Sequence, residues 1–225
     1  MDVFVMTIPV RPTAVILLAS VLLALAAPGA GLAVEAIPLS ALTADFEIRD
    51  RLPQSPLPQS QWYAKPGPGS WGPKAATYPP VSVPDGYDAV AWNRARVAVV
   101  ARRLVGLPYR HHHIPAYDPP GQGPGLDCSN YTSWVYNYGL GLRFTSAIAA
   151  QSSGPAAPGR RLSPDEPWAV GDLLYIKARD GSRVSHVALW LGDGQLIDSH
   201  NHSVAVRPFA GWYRDSLSHV RRVIE

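Results

Sequence analysis

Residues 126–136 read Leu-Asp-Cys-Ser-Asn-Tyr-Thr-Ser-Trp-Val-Tyr and contain the chain's single cysteine, Cys128. This stretch leads from a turn into a sequence of helical character, so we predict a helix from about Cys128 to Tyr138. A helix N-terminus presents unpaired backbone N–H groups and the positive end of the helix dipole, and both stabilise a thiolate. A single cysteine is more often a small buried apolar residue, so this position alone does not make Cys128 reactive.

The first 33 residues have the features of a secretory signal peptide. Their apolar run, residues 14–27, is too short to span a bilayer comfortably, and Gly31-Leu32-Ala33 offers the small residues that a signal peptidase reads. We predict cleavage after Ala33 and export to the periplasm, the cell envelope or the medium; an uncleaved N-terminal anchor is the alternative. Exported chains commonly use cysteines in pairs, so an unpaired Cys128 favours a chemical role.

The charge of the chain argues against a nucleic-acid partner. The net charge is +3, and removal of residues 1–33 leaves it unchanged because Asp2 and Arg11 cancel. Lysine and arginine are scattered rather than clustered, whereas nucleic-acid-binding proteins concentrate them on one surface. The mild basic excess suits an anionic cell wall, although an ordinary soluble surface accounts for it equally well.

A proline-rich arm or linker is predicted for residues 34–86. Runs such as residues 52–58, Leu-Pro-Gln-Ser-Pro-Leu-Pro, forbid regular helices and interrupt sheets. Disordered segments are poor in aromatic residues, so the aromatic residues of the arm indicate that part of it packs on the domain. These residues are Trp62, Tyr63, Trp71 and Tyr78.

The remaining residues, 87–225, are predicted to form one α+β domain in which helices precede an antiparallel sheet of about five strands. Helices are expected over about residues 88–105, 128–138 and 146–151. Alternation of apolar and polar residues predicts strands over residues 173–177, 184–191, 195–199, 204–208 and 219–224.

His186 is the histidine best placed to serve Cys128 as a base. It lies early in the second predicted strand, on the face of Trp190, and histidine titrates near neutral pH. A third group is needed to orient its imidazole. Asp198 and His200 share one face of the next strand, and the register of the hairpin between the strands decides which of them reaches His186.

Three motifs, in this order along residues 88–225, resemble the NlpC/P60 family of papain-like cell-wall cysteine peptidases. They are Asp127-Cys128-Ser129 at a helix start, Val170-Gly171-Asp172-Leu173-Leu174 at a strand start, and the run from His186 to Gly192. The resemblance implies a papain-like fold with Cys128 as nucleophile and His186 as base. It places the third polar residue twelve positions after the histidine, at Asp198, with His200 as the alternative.

The resemblance also implies a substrate pocket. Tyr109 matches a family tyrosine that lines the site and can help hold the oxyanion. We assign Asp127 and Ser129, which flank the cysteine, and Trp190 to the same pocket. The chain departs from the family pattern in the insert that begins Arg110-His111-His112-His113, and in Asn130, which replaces a glycine.

The implied reaction is hydrolysis of an amide in a peptidoglycan stem peptide, between D-glutamate and the diamino acid, through a thioester. The partner is then peptidoglycan or a muropeptide, and we expect a monomer with no cofactor, no nucleic acid and no membrane span after signal cleavage. No metal is predicted, because loop histidines such as His111–His113, even with His200 and His202, are more often solvated than ligating. A non-catalytic binding or scaffold module on the same fold, or a related amidase or acyltransferase, stays open.

Overall fold

The computed structural model describes residues 37–64 and 71–225. The predicted signal peptide lies outside these residues. The described segments belong to one compact unit, in which the arm packs on the domain. The boundary at residue 87 stays a prediction. Among the described residues, none of the helices combines the length and apolar character needed to cross a bilayer.

The predicted α+β class is confirmed, with six strands described where about five were expected. The strands are β1 (Arg160–Arg161), β2 (Leu173–Lys177), β3 (Val184–Gly192), β4 (Gln195–His200), β5 (Ser203–Pro208) and β6 (Leu217–Arg222). Their order in the sheet is β1-β6-β2-β3-β4-β5, and every neighbouring pair is antiparallel. The strand that the sequence pattern missed is β1, which has two exposed residues and therefore shows no alternation.

The helices of the described residues lie in the arm, before the sheet, and once between the last two strands. They are α1 (Leu39–Thr43), α2 (Phe46–Asp50), α3 (Ala89–Arg103), α4 (Cys128–Leu140), α5 (Ile148–Ser152) and α6 (Trp212–Asp215), with a 3-10 turn at Gln59–Gln61. The three predicted helices are confirmed as α3, α4 and α5. The expectation that the arm contains no helix is wrong, because α1 and α2 fit between Pro38 and Pro53, ahead of the dense prolines.

Helix α4 is the centre of the fold, and twelve of its thirteen residues are buried. Its first turn is capped by Asp127, and its last turn ends at Gly141, whose φ of 74° is a conformation that glycine adopts without strain. One face of the sheet packs on this helix through side chains such as Tyr175, Val187 and Ile197. The opposite face carries a second apolar cluster that includes Leu174, Ile176, Ala188 and Leu196.

The arm is fixed to the C-terminal end of α4 by two buried arginines. Arg96 of α3 donates hydrogen bonds to the carbonyls of Leu42 and Gly139 and to the Asp45 carboxylate, all at 2.6–2.7 Å. Arg49 donates to the same carboxylate and to the carbonyl of Tyr138. Because these contacts join α1 and α2 to the centre of the fold, the start of the arm is an integral part of the structure.

Candidate active site

Cys128 is the first residue of α4 and is 5% exposed. The Asp127 carboxylate caps the helix: its Oδ1 accepts from the backbone N–H groups of Ser129 at 3.0 Å and Asn130 at 2.8 Å. Its Oδ2 accepts from the Asn130 side-chain amide at 2.8 Å. The free first-turn N–H groups are thus partly satisfied by Asp127, and the position of Cys128 is set by a rigid helix start.

The loop that leads to Cys128 is attached to the sheet. Residues 106 and 109 donate backbone hydrogen bonds to the carbonyls of Val204 and His202, both at 2.9 Å. The Ser199 hydroxyl donates to the Leu126 carbonyl at 2.6 Å. Strand β4 therefore holds the approach to Cys128 directly, through the residue that follows Asp198.

His186 and Asp198 form a buried pair. His186 Nε2 lies 2.7 Å from Asp198 Oδ2, and the two side chains are 5% and 0% exposed. The use of Nε2 by the carboxylate leaves Nδ1 for Cys128. The sequence left Asp198 and His200 as candidates for the third catalytic residue. Asp198 is the one that forms a hydrogen bond with the His186 imidazole.

The pKa of His186 reflects its position between a thiol and a carboxylate. Burial alone would lower this pKa, but the charge of Cys128 and hydrogen bonds to Cys128 and Asp198 outweigh it and raise the pKa to about 9. An imidazole with this pKa is protonated at neutral pH. Cys128 and His186, which are 58 residues apart in sequence, therefore interact in the folded chain.

Two residues that sequence reasoning missed hold the Asp198 carboxylate. Arg207 Nε of β5 donates to Asp198 Oδ1 at 2.8 Å, and the Tyr213 hydroxyl of α6 donates to Oδ2 at 2.8 Å. Burial alone would raise the pKa of Asp198, but its hydrogen bonds, the charge of His186 and these two partners lower it. The carboxylate is therefore ionised in a fully buried position.

His200 occupies a supporting position at the same cluster. Its ring centroid lies 4.8 Å from that of His186, and its Nδ1 lies 3.0 Å from the Tyr213 hydroxyl. Burial and the charge of His186 lower the pKa of His200 to about 4, so its imidazole is neutral at neutral pH. A neutral His200 that donates from Nδ1 allows Tyr213 to direct its own proton to Asp198.

The loop before Cys128 forms a chain of packed rings, in which Tyr109 meets His111 edge-on and His111 stacks on Trp71. Tyr109 is half-buried, and burial together with the charges of Cys128 and Asp127 raises the pKa of its hydroxyl above the usual value. The His111 ring lies 5.5 Å from Tyr109 and 5.1 Å from Trp71 of the arm. The arm therefore reaches the loop that lines Cys128.

The three neighbouring histidines of the insert have different partners. His111 Nδ1 lies 3.3 Å from Asp127 Oδ2, and His113 Nδ1 lies 3.1 Å from Asn130 Oδ1. His112 is 1% exposed and packs edge-on against Tyr117, so the expectation that these loop histidines are solvated is wrong for this one. The insert is thereby folded against the first turn of α4.

The remaining pocket candidates take other positions. Ser129 is buried, and its hydroxyl donates to Asp127 Oδ1 at 3.1 Å. Trp190 packs edge-on against Trp168 and Phe209, with ring centroids 5.2 and 5.7 Å away, in the second apolar cluster. Helix capping accounts for the position of the Ser129 side chain, and packing accounts for that of Trp190. A role of either residue in the substrate pocket stays a prediction from the sequence.

Within residues 37–64 and 71–225, one group has the spacing of a metal site: His186, Asp198 and His200, with ligand atoms within 4.8 Å of one another. The hydrogen bonds already described account for this spacing, because both oxygens of Asp198 accept from protein donors. A cation would also have to displace the Arg207 guanidinium. The contacts of these three residues therefore suit a hydrogen-bonded histidine–carboxylate pair better than a metal site.

The chain is similar in sequence to proteins named as probable endopeptidases. The chain is 34% identical over 108 residues to the probable endopeptidase p60 of Listeria grayi, an alignment that covers 47% of this chain and 18% of that protein. It is 31% identical over 121 residues to a probable endopeptidase of Mycobacterium bovis, covering 53% of this chain and 27% of that protein. The alignments thus span less than a third of the length of these relatives.

Solved structures with similar folds include an NlpC/P60 family protein from Bacillus cereus, with 26% identity and a TM-score of 0.48 over 59% of this chain and 40% of that one. The peptidoglycan hydrolase RipB from Mycobacterium tuberculosis shows 22% identity and a TM-score of 0.48, over 64% of this chain and 74% of that one. The sequence model of the NlpC/P60 family matches residues 106–222, more than half of the chain. The chain belongs to the NlpC/P60 family.

Proposed function

We propose that this protein is an exported cysteine peptidase that hydrolyses amide bonds in peptidoglycan stem peptides. The observation that carries the proposal is the buried His186–Asp198 pair acting on Cys128 at the start of α4. A nucleophile, a base and a group that orients the base are the minimum for covalent acyl transfer. The relatives named as probable endopeptidases support the same reaction class.

The reacting form is a Cys128 thiolate beside a protonated His186. Because the pKa of His186 is raised to about 9, its imidazole carries a proton at neutral pH. The Cys128 sulfur lies at the positive end of α4, where the helix dipole favours a thiolate nucleophile. Asp198, held ionised by Arg207 and Tyr213, keeps the ring in place through Nε2.

Catalysis begins with attack of the Cys128 sulfur on the amide carbonyl carbon, and negative charge develops on the carbonyl oxygen. The backbone N–H of Cys128 lies at the first helical position, where helix geometry provides no internal acceptor, and it is available to that oxygen. The Tyr109 hydroxyl is a second donor, and its raised pKa keeps it protonated.

Collapse of the tetrahedral intermediate breaks the carbon–nitrogen bond. His186 donates its proton to the leaving amine, and the acyl group stays on sulfur as a thioester. The neutral imidazole then takes a proton from water, whose oxygen attacks the thioester carbon. The products are a free carboxylate, a free amine and the regenerated Cys128–His186 pair.

We assign the substrate bond to the link between D-glutamate and the diamino acid, on the family resemblance of the motifs around Cys128 and His186. Export follows from the signal-like residues 1–33, since peptidoglycan lies outside the cytoplasmic membrane.

Digestion of purified peptidoglycan, followed by mass spectrometry of the fragments, tests the proposal. The wild-type chain should release fragments with a new D-glutamate carboxylate and a new diamino-acid amine, and Cys128→Ala should release none. Fragments that carry a transferred acyl group would favour the acyltransferase alternative. Absence of any wild-type product that Cys128→Ala lacks would favour a non-catalytic module.

A further inference from the structure

A cavity of about 430 Å³ lies along α4, outside the Cys128–His186–Asp198 group. Helix α4 contributes one wall, which includes Asn130 and Trp134. The loop after this helix contributes Arg143 and Phe144, and the arm contributes Lys74. None of the steps described above uses this cavity.

The charge of the cavity is positive. Lys74 and Arg143 are both exposed and line it, and no aspartate or glutamate of the described residues does so. Arg143 Nη1 donates at 3.2 Å to the neutral Thr77 hydroxyl, a contact that leaves its charge uncompensated. Trp134 and Phe144 add apolar surface, so the cavity suits a ligand with an anionic group on a partly apolar body.

The cavity is held open by the arm before any ligand binds. The Asn137 side chain accepts from the Tyr78 N–H at 3.0 Å and donates to the Ala76 carbonyl at 2.7 Å. On the other side, the His113 N–H donates to the Trp71 carbonyl at 3.2 Å. The segment between these contacts carries Lys74, so its position relative to α4 is fixed at both ends.

The cavity begins at the first turn of α4, the turn that Cys128 opens. Along the axis of α4, Asn130 is about 3 Å and Asn137 about 14 Å from Cys128, at 1.5 Å per residue. An extended peptide advances about 3.3–3.6 Å per residue, so the cavity covers about three residues of a bound peptide. Its near end borders the first turn of α4, where His113 contacts Asn130.

We propose that this cavity is a subsite in which Lys74 and Arg143 bind a carboxylate of the peptide substrate. The inference rests on the proposed function and deepens it, because stem peptides that contain D-glutamate and a diamino acid carry free carboxylates. An arginine offers a carboxylate two parallel N–H donors, and a neighbouring lysine adds a second charge. Two features by which this chain departs from the family pattern, the histidine-rich insert and Asn130, both border the cavity.

Direct binding tests the subsite without turnover. The full-length Cys128→Ala chain is titrated calorimetrically with L-alanyl-γ-D-glutamyl-diaminopimelate, and then with the same tripeptide whose carboxylates are amidated. Adding Lys74→Gln and Arg143→Gln should weaken binding of the acidic peptide roughly tenfold and leave binding of the amidated peptide within about twofold. Arg51→Gln is the control, since it removes an exposed positive charge that does not line the cavity and should change neither value.

Equal weakening for both peptides, or no weakening for the acidic one, would overturn the subsite. Failure of the Cys128→Ala parent to bind the acidic peptide would overturn it as well. The proposed function is judged separately, by cleavage of the same peptide by the wild-type chain. Binding that depends on Lys74 and Arg143 without cleavage would retain the subsite and reject the peptidase.

Discussion

At the scale of single residues, the chemistry of the site depends on the proton of His186. Burial alone would lower the pKa of this residue. The charge of Cys128 and hydrogen bonds to Cys128 and Asp198 outweigh burial and raise the pKa to about 9. The protonated form exists below that pH and is lost as the pH rises through it. Because His186 must donate a proton to the leaving amine, we predict that kcat/KM falls as the pH rises through about 9.

Asp198→Asn should move this alkaline limit to lower pH, because it removes the negative charge that favours the imidazolium and replaces a charged hydrogen-bond acceptor with a neutral one. The measurement is the pH profile of kcat/KM on a muropeptide. Asp193→Asn is the matched control: it makes the same change on an exposed turn residue with φ of 49°, which asparagine tolerates, and should leave the profile unchanged. Coincident profiles for Asp198→Asn and wild type would contradict the prediction.

Arg207 and Tyr213 are predicted to be positioning residues that act through Asp198. Arg207→Met or Tyr213→Phe removes one hydrogen bond from the fully buried Asp198 carboxylate. Leaving a buried acceptor without that partner costs about 1–3 kcal/mol of free energy. We expect kcat to fall roughly tenfold with little change in KM. The alkaline limit of activity should move to higher pH, because the Asp198 carboxylate, freed of one partner, favours the His186 imidazolium more strongly. Steady-state kinetics across pH measures both effects.

Two further variants separate positioning by these residues from general loss of structure. Arg207→Lys keeps the charge and should recover part of the lost activity. Arg214→Met removes a neighbouring arginine whose side chain is 66% exposed and should behave as wild type. An Arg207→Met enzyme with normal kcat and a normal pH profile would show that Asp198 needs no such support.

At the scale of elements, the ion-pair network between the arm and α3 is expected to stabilise the fold. Burial alone would raise the pKa of Asp45, but hydrogen bonds and charges from Arg49 and Arg96 lower it. A lowered pKa contributes stability above the unfolded value, near 3.8, and this contribution is lost as the pH falls through the folded value. Asp45→Asn should therefore destabilise the chain at neutral pH and much less at acidic pH.

At pH 7, Asp45→Asn is expected to lower the free energy of unfolding by about 2–3 kcal/mol. This is less than the cost of breaking a fully buried ion pair, because the Asp45 carboxylate is 36% exposed. Urea unfolding at pH 7 and pH 3 measures the difference. Glu47→Gln breaks the exposed pair with Arg51 and should cost less than about 0.5 kcal/mol. A loss for Asp45→Asn as small as that for Glu47→Gln would contradict a role of the network in stability.

At the scale of the whole molecule, the sheet and the central helix were predictable because their patterns are local. Alternation of apolar and polar residues predicted β2 with its observed bounds, and Asp127 ahead of Cys128 indicated the start of α4. Short elements were missed for the same reason: β1 has two residues and α6 has four, too few to show a period.

The support of Asp198 could not be predicted from such patterns. Arg207 reaches Asp198 from the next strand, and Tyr213 reaches it from α6, fifteen residues further along the chain. Their contacts depend on the β4–β5 register, in which Asp198 lies opposite Ala205, and on the turn into α6. Hairpin register is weakly determined by sequence alone. The family resemblance indicated which residue contacts His186, and only the fold brought Arg207 and Tyr213 to it.

The arm provides the last prediction at this scale, because it contributes to the same core as the domain. Leu42 and Tyr78 are 4% and 2% exposed, and Arg96 of α3 needs the Leu42 carbonyl and Asp45 as acceptors. Deleting residues 34–86 should therefore abolish cooperative thermal unfolding, since it exposes core surface and leaves a buried arginine with two acceptors fewer. Circular dichroism during heating measures this.

Trp71→Ala tests separately whether the arm helps to shape the active site around Cys128. Trp71 is 40% exposed and packs against His111 and His113, so its loss should leave the unfolding midpoint within a few degrees of wild type. By loosening the loop that carries Tyr109, it should raise KM for muropeptides about threefold, or roughly 0.7 kcal/mol. A deletion variant that unfolds cooperatively at the wild-type temperature would show instead that the arm is a separable linker, and the domain would then begin near Tyr87 as its sequence predicts.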